Sequence, residues 1–404
     1  MRLKPATGFR SGSQLHRRRI SCERNHVEPA AKEIRIPSVG NIIPGKRPVT
    51  PDIELSELTT GAPSVASVAV EFPSHRHSQD EVIGALADFA GPEFQRFAAK
   101  SGVATRHLAL PLSRYRELSG FTEANDAYLD IALELGERAL KSAFAQAEIE
   151  PSEVDVVFST TVTGLTVPSL EARLATRLGF RPDFKRVPLF GLGCVAGAAG
   201  MARVHDYLRA FPGHVAALLA VELCSLTIQR EDHSIANLVA SSLFGDGAAA
   251  VIATGADRPA VGPKLVATRS RTYPDTEDVL GWNIGTAGFQ IVLSVEIAAV
   301  VEKYLGDDIR NFLADHGLTT ADISRWVLHA AGPKVIDAVE NVLDVPKDAF
   351  DITRKSLRNN GNLSSVSVLD ILQDTMTDPP PPGSLGLMIA MGPGFSAELV
   401  LLSW

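Results

Sequence analysis

The run Val215-Ala-Ala-Leu-Leu-Ala-Val-Glu222 is apolar until its last residue, so as a strand it has no face to give to water. Such a run must be covered on both sides, as in a sheet with helices above and below. Similar runs occur at Ala66 to Val70, Val154 to Thr160 and Ala248 to Ala253, the last entered through Leu243-Phe-Gly-Asp-Gly247. Between them, Gln79 to Phe97, Ala124 to Ala147 and Met201 to Phe211 repeat apolar residues three and four apart, which predicts helices. The pattern restarts near residue 262. A strand at Lys264 to Thr268 precedes helices over Ser294 to His316, a strand Trp326 to Leu328 and helices at Val335 to Leu343 and Ser365 to Met376. Closing strands follow at Gly386 to Met391 and Ala397 to Leu402. Alternating strands and helices on both sides of residue 260 predict two α/β halves sharing one core, residues 59–260 and 261–404.

Residues 1–58 read as a basic, poorly ordered extension. The first fifty residues carry net charge +8 although the whole chain carries −8, and Arg17-Arg18-Arg19 lacks the apolar stretch of a secretory signal. A phosphate-binding or targeting arm is the other reading of this head. The acidic body excludes a nucleic-acid-binding protein. No run of eighteen apolar residues predicts a membrane span, and the three cysteines, Cys22, Cys194 and Cys224, form neither a disulfide framework nor a metal-ligand pattern. A reducing, cytoplasmic location is expected.

Within Val187-Pro-Leu-Phe-Gly-Leu-Gly-Cys-Val-Ala-Gly-Ala-Ala-Gly200, Cys194 falls where a strand turns into a buried helix. Unpaired N–H groups and the positive helix end there would lower a thiol pKa. In Arg325-Trp-Val-Leu-His-Ala-Ala-Gly-Pro-Lys334 an apolar strand ends on His329, and in Asn360-Gly-Asn-Leu-Ser-Ser365 a turn leaves Asn362 at a helix edge. Alone, each has an ordinary structural reading: buried thiol, core histidine, helix cap. Together they suit acyl transfer through a thioester, with the imidazole stabilising a thiolate and both nitrogen side chains holding an oxyanion.

On these motifs, together with the Leu243-Phe244-Gly-Asp-Gly block and Gly392-Pro393-Gly394, the chain from about residue 65 to Trp404 resembles the type III polyketide synthases, chalcone-synthase-like enzymes. The resemblance implies a thiolase-like fold, two similar α/β halves layered αβαβα, and a homodimer whose Val167 loop reaches the partner's cavity. It implies that Cys194 carries the acyl chain, that His329 and Asn362 promote malonyl decarboxylation, and that Phe244 gates the cavity. It places Arg96 and Lys100 on the CoA phosphates, while the family's additional lysine falls on Glu93. Substrates would be acyl-CoA and malonyl-CoA, with no cofactor and no metal.

The same alignment puts Trp282, Ile291, Cys224, Thr227 and Val162-Thr163 on the cavity wall, and makes Gly392 and Pro393, in a loop beside the site, substrate-binding residues as well. An apolar wall suits an aliphatic starter, and the resemblance is nearest to bacterial alkylpyrone-forming members using fatty acyl-CoA. A resorcinol-forming member, an initiating ketoacyl-ACP synthase and a silent acyl-CoA-binding paralogue are the alternatives.

Overall fold

The computed structural model describes residues 55–404 apart from residue 260, all within one compact unit. The expected basic extension lies outside the described residues up to residue 54, and Leu55–Leu58 is helical.

Nine strands form one sheet: β1 Ser64–Glu71, β2 Val156–Thr160, β3 Lys185–Leu189, β4 Val215–Leu223, β5 Asp246–Thr254, β6 Lys264–Thr272, β7 Ile323–Leu328, β8 Leu385–Gly392 and β9 Ser396–Ser403. Their order is β7-β8-β9-β6-β1-β5-β4-β2-β3. The two sides of residue 260 join where β1 meets β6, Ser64 opposite Lys264. β2 runs parallel to β3 and β4, and β7 runs parallel to β8. The remaining pairs are antiparallel, so β4 sits in a mixed sheet rather than a purely parallel one. All nine residues of β4 and of β5 are buried, as their composition requires.

Two helices, Ala196–Ala210 and Ser367–Thr377, pack against each other and against strands from both sides of residue 260. Their first turns are buried apart from the partly exposed Asp370, which suits the small residues there. A methyl group on Gly197 would lie 2.2 Å from the Ser365 carbonyl oxygen, so no larger residue fits between them. The Gln79–Ala98 helix starts with a capping box: the Glu81 N–H donates to Ser78 Oγ at 3.3 Å, and the Ser78 N–H donates to Glu81 Oε2 at 2.7 Å.

The chain departs from the sequence expectation over residues 280–293, where an antiparallel ribbon, Leu280–Gly285 with Gly288–Leu293, pairs Trp282 with Ile291. Its alternation is diluted by glycines, which hides a two-residue period. The expected helices of 294–316 are Ile297–Val300 and Gly306–Ala314, joined by a π-helical turn at Val301–Leu305. Among the described residues no helix is long and apolar enough to cross a membrane.

Candidate active site

Cys194 lies in the single turn Gly193–Val195 that runs into the Ala196–Ala210 helix. Gly193 has φ 58°, and a methyl group there would lie 2.6 Å from the Pro393 ring. The nucleophile's turn is therefore shaped against a loop from the far end of the chain. His329 follows β7 directly, its N–H donating to Ile389 of β8 at 2.9 Å. Its ring is buried and Nδ1 has no hydrogen-bond partner. Asn362 is held by its backbone, donating to Leu243 O at 2.9 Å and accepting from the Gly245 N–H at 3.0 Å. Its side chain donates to Ala331 O at 3.3 Å and accepts from the Ser364 N–H at 2.8 Å. The carboxamide is thus fixed between the loop after His329 and the turn that follows it.

Cys194, His329 and Asn362 all line one cavity of about 480 Å³, which also meets Phe244, Arg96 and Lys100. Arg96 and Lys100 are exposed, so the cavity leads from the buried sulfur to a basic rim at the surface. Lys334, absent from the sequence assignment although it stands in the His329 motif, lines the cavity too. Phe244 borders a second void of about 20 Å³, walled by Cys224, Thr227, Trp282, Ile291 and the buried Arg106. That volume admits about one water molecule. Trp282 meets Phe289 edge-on at 5.9 Å.

Three expectations need correction. Thr163 lines neither cavity; its Oγ1 donates to Glu222 Oε2 at 2.9 Å and accepts from the Leu223 N–H at 2.9 Å. A loop position in sequence does not say which way the hydroxyl turns. Gly392 and Pro393 line neither cavity because they pack on the Cys194 turn: a methyl on Gly392 would lie 2.7 Å from Leu192 O and from the Val195 nitrogen. The helix-terminal lowering of the thiol is overridden. Burial pushes Cys194 up to about 12, opposed by its hydrogen bond to Ser364 Oγ at 3.5 Å and reinforced by the neighbouring Glu222. Burial also pushes His329 down to about 3.

Sequence reasoning read Glu222 only as the end of a buried strand. The side chain is fully buried and accepts hydrogen bonds from Ser365 Oγ at 2.6 Å, Thr163 Oγ1 at 2.9 Å, the Val162 N–H at 3.1 Å and Ser364 Oγ at 3.4 Å. Desolvation lifts it to about 7 despite those four donors. The available signal was a lone carboxylate closing an otherwise apolar run.

A buried Cys, His and Asn on one cavity, reached past a cationic rim, define a thioester-handling acyltransferase site. Residues 86–258 match the family model for chalcone and stilbene synthases, N-terminal domain, and residues 264–403 match the C-terminal domain. The chain belongs to this family, the type III polyketide synthases, acyltransferases that work by decarboxylative Claisen condensation on a thiolase-like fold. It is 50% identical over 351 residues to a 1,3,6,8-tetrahydroxynaphthalene synthase of Streptomyces peucetius subsp. caesius, covering 84% of this chain and 93% of that one. It is 28% identical to a phloroglucinol synthase of Pseudomonas fluorescens, with 83% and 97% covered. Among solved structures, the 1,3,6,8-tetrahydroxynaphthalene synthase of Streptomyces coelicolor A3(2), titled a bacterial type III polyketide synthase, superposes with TM-score 0.80 at 30% identity, covering 85% of this chain and 99% of that one.

Proposed function

We propose that this chain uses malonyl-CoA as both starter and extender and releases a polyhydroxylated aromatic of the tetrahydroxynaphthalene type. The observation that carries the reading is that the pocket beyond Phe244 is held to about 20 Å³ by Trp282 and its neighbours, too small to take an extended acyl starter. The likeness to a tetrahydroxynaphthalene synthase supports it. The arithmetic of the product agrees: five malonyl units losing five CO2 leave ten carbons, and one aldol closure with loss of water leaves four oxygens.

In this reading Cys194 attacks the starter thioester and CoA leaves past Arg96 and Lys100, whose charges hold its phosphates. Malonyl-CoA then enters the same cavity and loses CO2, and the enolate oxygen is held by the His329 ring and the Asn362 carboxamide. The enolate carbon attacks the Cys194 thioester and returns a chain two carbons longer on CoA. Burial of all three groups keeps water from quenching the enolate. No metal or organic cofactor enters these steps. Two copies form the working enzyme, a reading supported by the Gly164–Pro168 loop, which leaves Val167 94% exposed while Asn125 pins the Leu165 backbone at 2.7 and 2.9 Å.

A second reading, alkylpyrone formation from a fatty acyl-CoA, is favoured by the apolar lining of the larger cavity: Leu280, Leu293, Ile297, Ala298 and Phe395. Mass spectrometry of products from purified enzyme decides between them. Malonyl-CoA alone should give the aromatic product, and adding an acyl-CoA ladder should not divert it. Product formation only when a fatty acyl-CoA is supplied would replace the first reading by the second.

A further inference from the structure

Arg106 is 1% exposed, on the short strand Thr105–Leu108 that pairs with His75–Ser78. Its Nη1 donates to Phe244 O at 2.7 Å, while Nε and Nη2 have no hydrogen-bond partner among the described residues. Burial pulls the guanidinium down to about 10 against the pull of the nearby Asp246, so it is charged at neutral pH. Asp246 balances that charge without taking the free donors. Its oxygens accept instead from the Ala109 N–H at 2.5 Å, the Ser225 N–H at 2.8 Å and the Ser225 hydroxyl. A buried guanidinium edge left unpaired is costly, so this edge calls for an acceptor.

The space beside it has the size of one oxygen atom. Arg106 lines the void of about 20 Å³ beyond Phe244, room for a single water-sized group. Two other polar side chains on that wall have given their hydrogens elsewhere: Thr227 Oγ1 donates to Cys224 O at 2.7 Å, and Asn237 Nδ2 donates to Gln229 O at 2.8 Å and Asp232 O at 2.7 Å. The void is also close to the nucleophile. Cys224 in its wall is near enough to Cys194 for the two thiols to act on each other electrostatically, and Phe244 borders both the void and the larger cavity.

We infer that Arg106 makes this void a socket for one oxygen at the far end of the acyl chain on Cys194, selecting chains that end in a carbonyl or carboxyl group over chains that end in alkyl. The inference rests on the reading above, in which Cys194 carries the chain, and adds what that chain must present. In the free enzyme a water molecule fills the socket. A chain-end oxygen displaces it and takes over the Nε and Nη2 hydrogen bonds, whereas an alkyl end displaces it and leaves the guanidinium edge bare. Sites built to hydrogen-bond a substrate oxygen reject the analogue lacking it far more strongly than an apolar pocket rejects one extra methylene. Malonyl units and the chains grown from them carry oxygen at every second carbon, and fatty acyl chains carry none beyond the thioester.

Loading of Cys194 from acetoacetyl-CoA and from butanoyl-CoA, read by protein and peptide mass, tests the socket without malonyl-CoA. The two primers have equal carbon chains and differ by one keto oxygen. After each rate is divided by that of the same primer with a small free thiol, wild type should favour acetoacetyl by roughly tenfold or more. Arg106→Met should bring the ratio to within about twofold of unity. Cys224→Val adds a methyl group to the wall with Arg106 in place, and should lower the ratio as well. An Arg106 that only supports the Phe244 carbonyl would, once replaced, slow both primers alike, so an Arg106→Met enzyme with the wild-type ratio overturns the inference. So does a wild-type ratio near unity. If Arg106→Met fails to fold, as thermal melting would reveal, Cys224→Val decides, and an unchanged ratio there overturns the socket. Failure to find either adduct on Cys194 removes the acyl-carrier reading and the socket with it. A wild type that keeps the ratio but makes no aromatic product from malonyl-CoA alone overturns the malonyl starter and supports the socket.

Discussion

Phe244 and Asn362 are tied together as a parallel β-bridge, with Asn362 N–H on Leu243 O and Gly245 N–H on Asn362 O. The backbone that carries Phe244 between the two voids and that of the amide that would hold the enolate therefore cannot move independently. A methyl group on Gly245 would lie 2.2 Å from Asn360 O, so Gly245→Ala should disturb both at once. We expect that variant to lose decarboxylation and product-length control together, measured by CO2 release and product mass.

Asn362→Ala keeps the backbone bridge and removes only the carboxamide. If that group holds the enolate oxygen, CO2 release from malonyl-CoA should fall roughly 10²- to 10³-fold. Cys194 alkylation should stay near the wild-type rate, which separates decarboxylation from loading.

Trp282→Gly should enlarge the 20 Å³ pocket beside Phe244. The expected outcome is acceptance of longer starters and products of higher mass, at a stability cost of roughly 1–3 kcal/mol for the lost packing. An unchanged product profile would show that the pocket's size does not choose the starter.

Arg96→Ala and Lys100→Ala should each raise KM for malonyl-CoA about fivefold, near 1 kcal/mol for an exposed charge pair, with kcat little changed. Because both side chains are exposed, the wild-type KM should itself rise with salt.

The two perturbed groups act on stability in opposite directions. Glu222 titrates higher in the fold than its ordinary value of 4.5, so the folded state binds more protons between about 4.5 and 7 and loses stability as pH rises through that window. For a fully buried group this is on the order of 3 kcal/mol, and Glu222→Gln should compare best with wild type at pH 8. His329 titrates lower in the fold, so the unfolded state binds more protons between about 3 and 6.5, and its contribution is lost as pH falls through that range. His329→Gln should flatten the acid limb of a melting-temperature series.

Most of the strands, and Cys194, His329 and Asn362 in particular, were legible because each of the three polar residues ends an apolar run or opens a helix, a position that chain pattern alone defines. Phe244, Trp282 and Ile291 could be placed on a wall only through resemblance, since nothing in their spacing separates wall from core. Thr163 and Glu222 were harder. Which way a hydroxyl turns, and whether a buried carboxylate finds donors, depend on contacts 59 and 143 residues apart in the chain, Thr163 and Ser365 with Glu222. The thiol misled for a related reason: the helix end beside it is local and readable, whereas the burial that outweighs it is assembled from the whole fold.

The turn that presents Cys194 is moulded by Pro393 and Gly392, about two hundred residues further along the chain. A growing polypeptide therefore carries its sulfur through all of that length before the loop that shapes its turn exists. Fragments that stop short of the loop hold the thiol without the surface it is folded against.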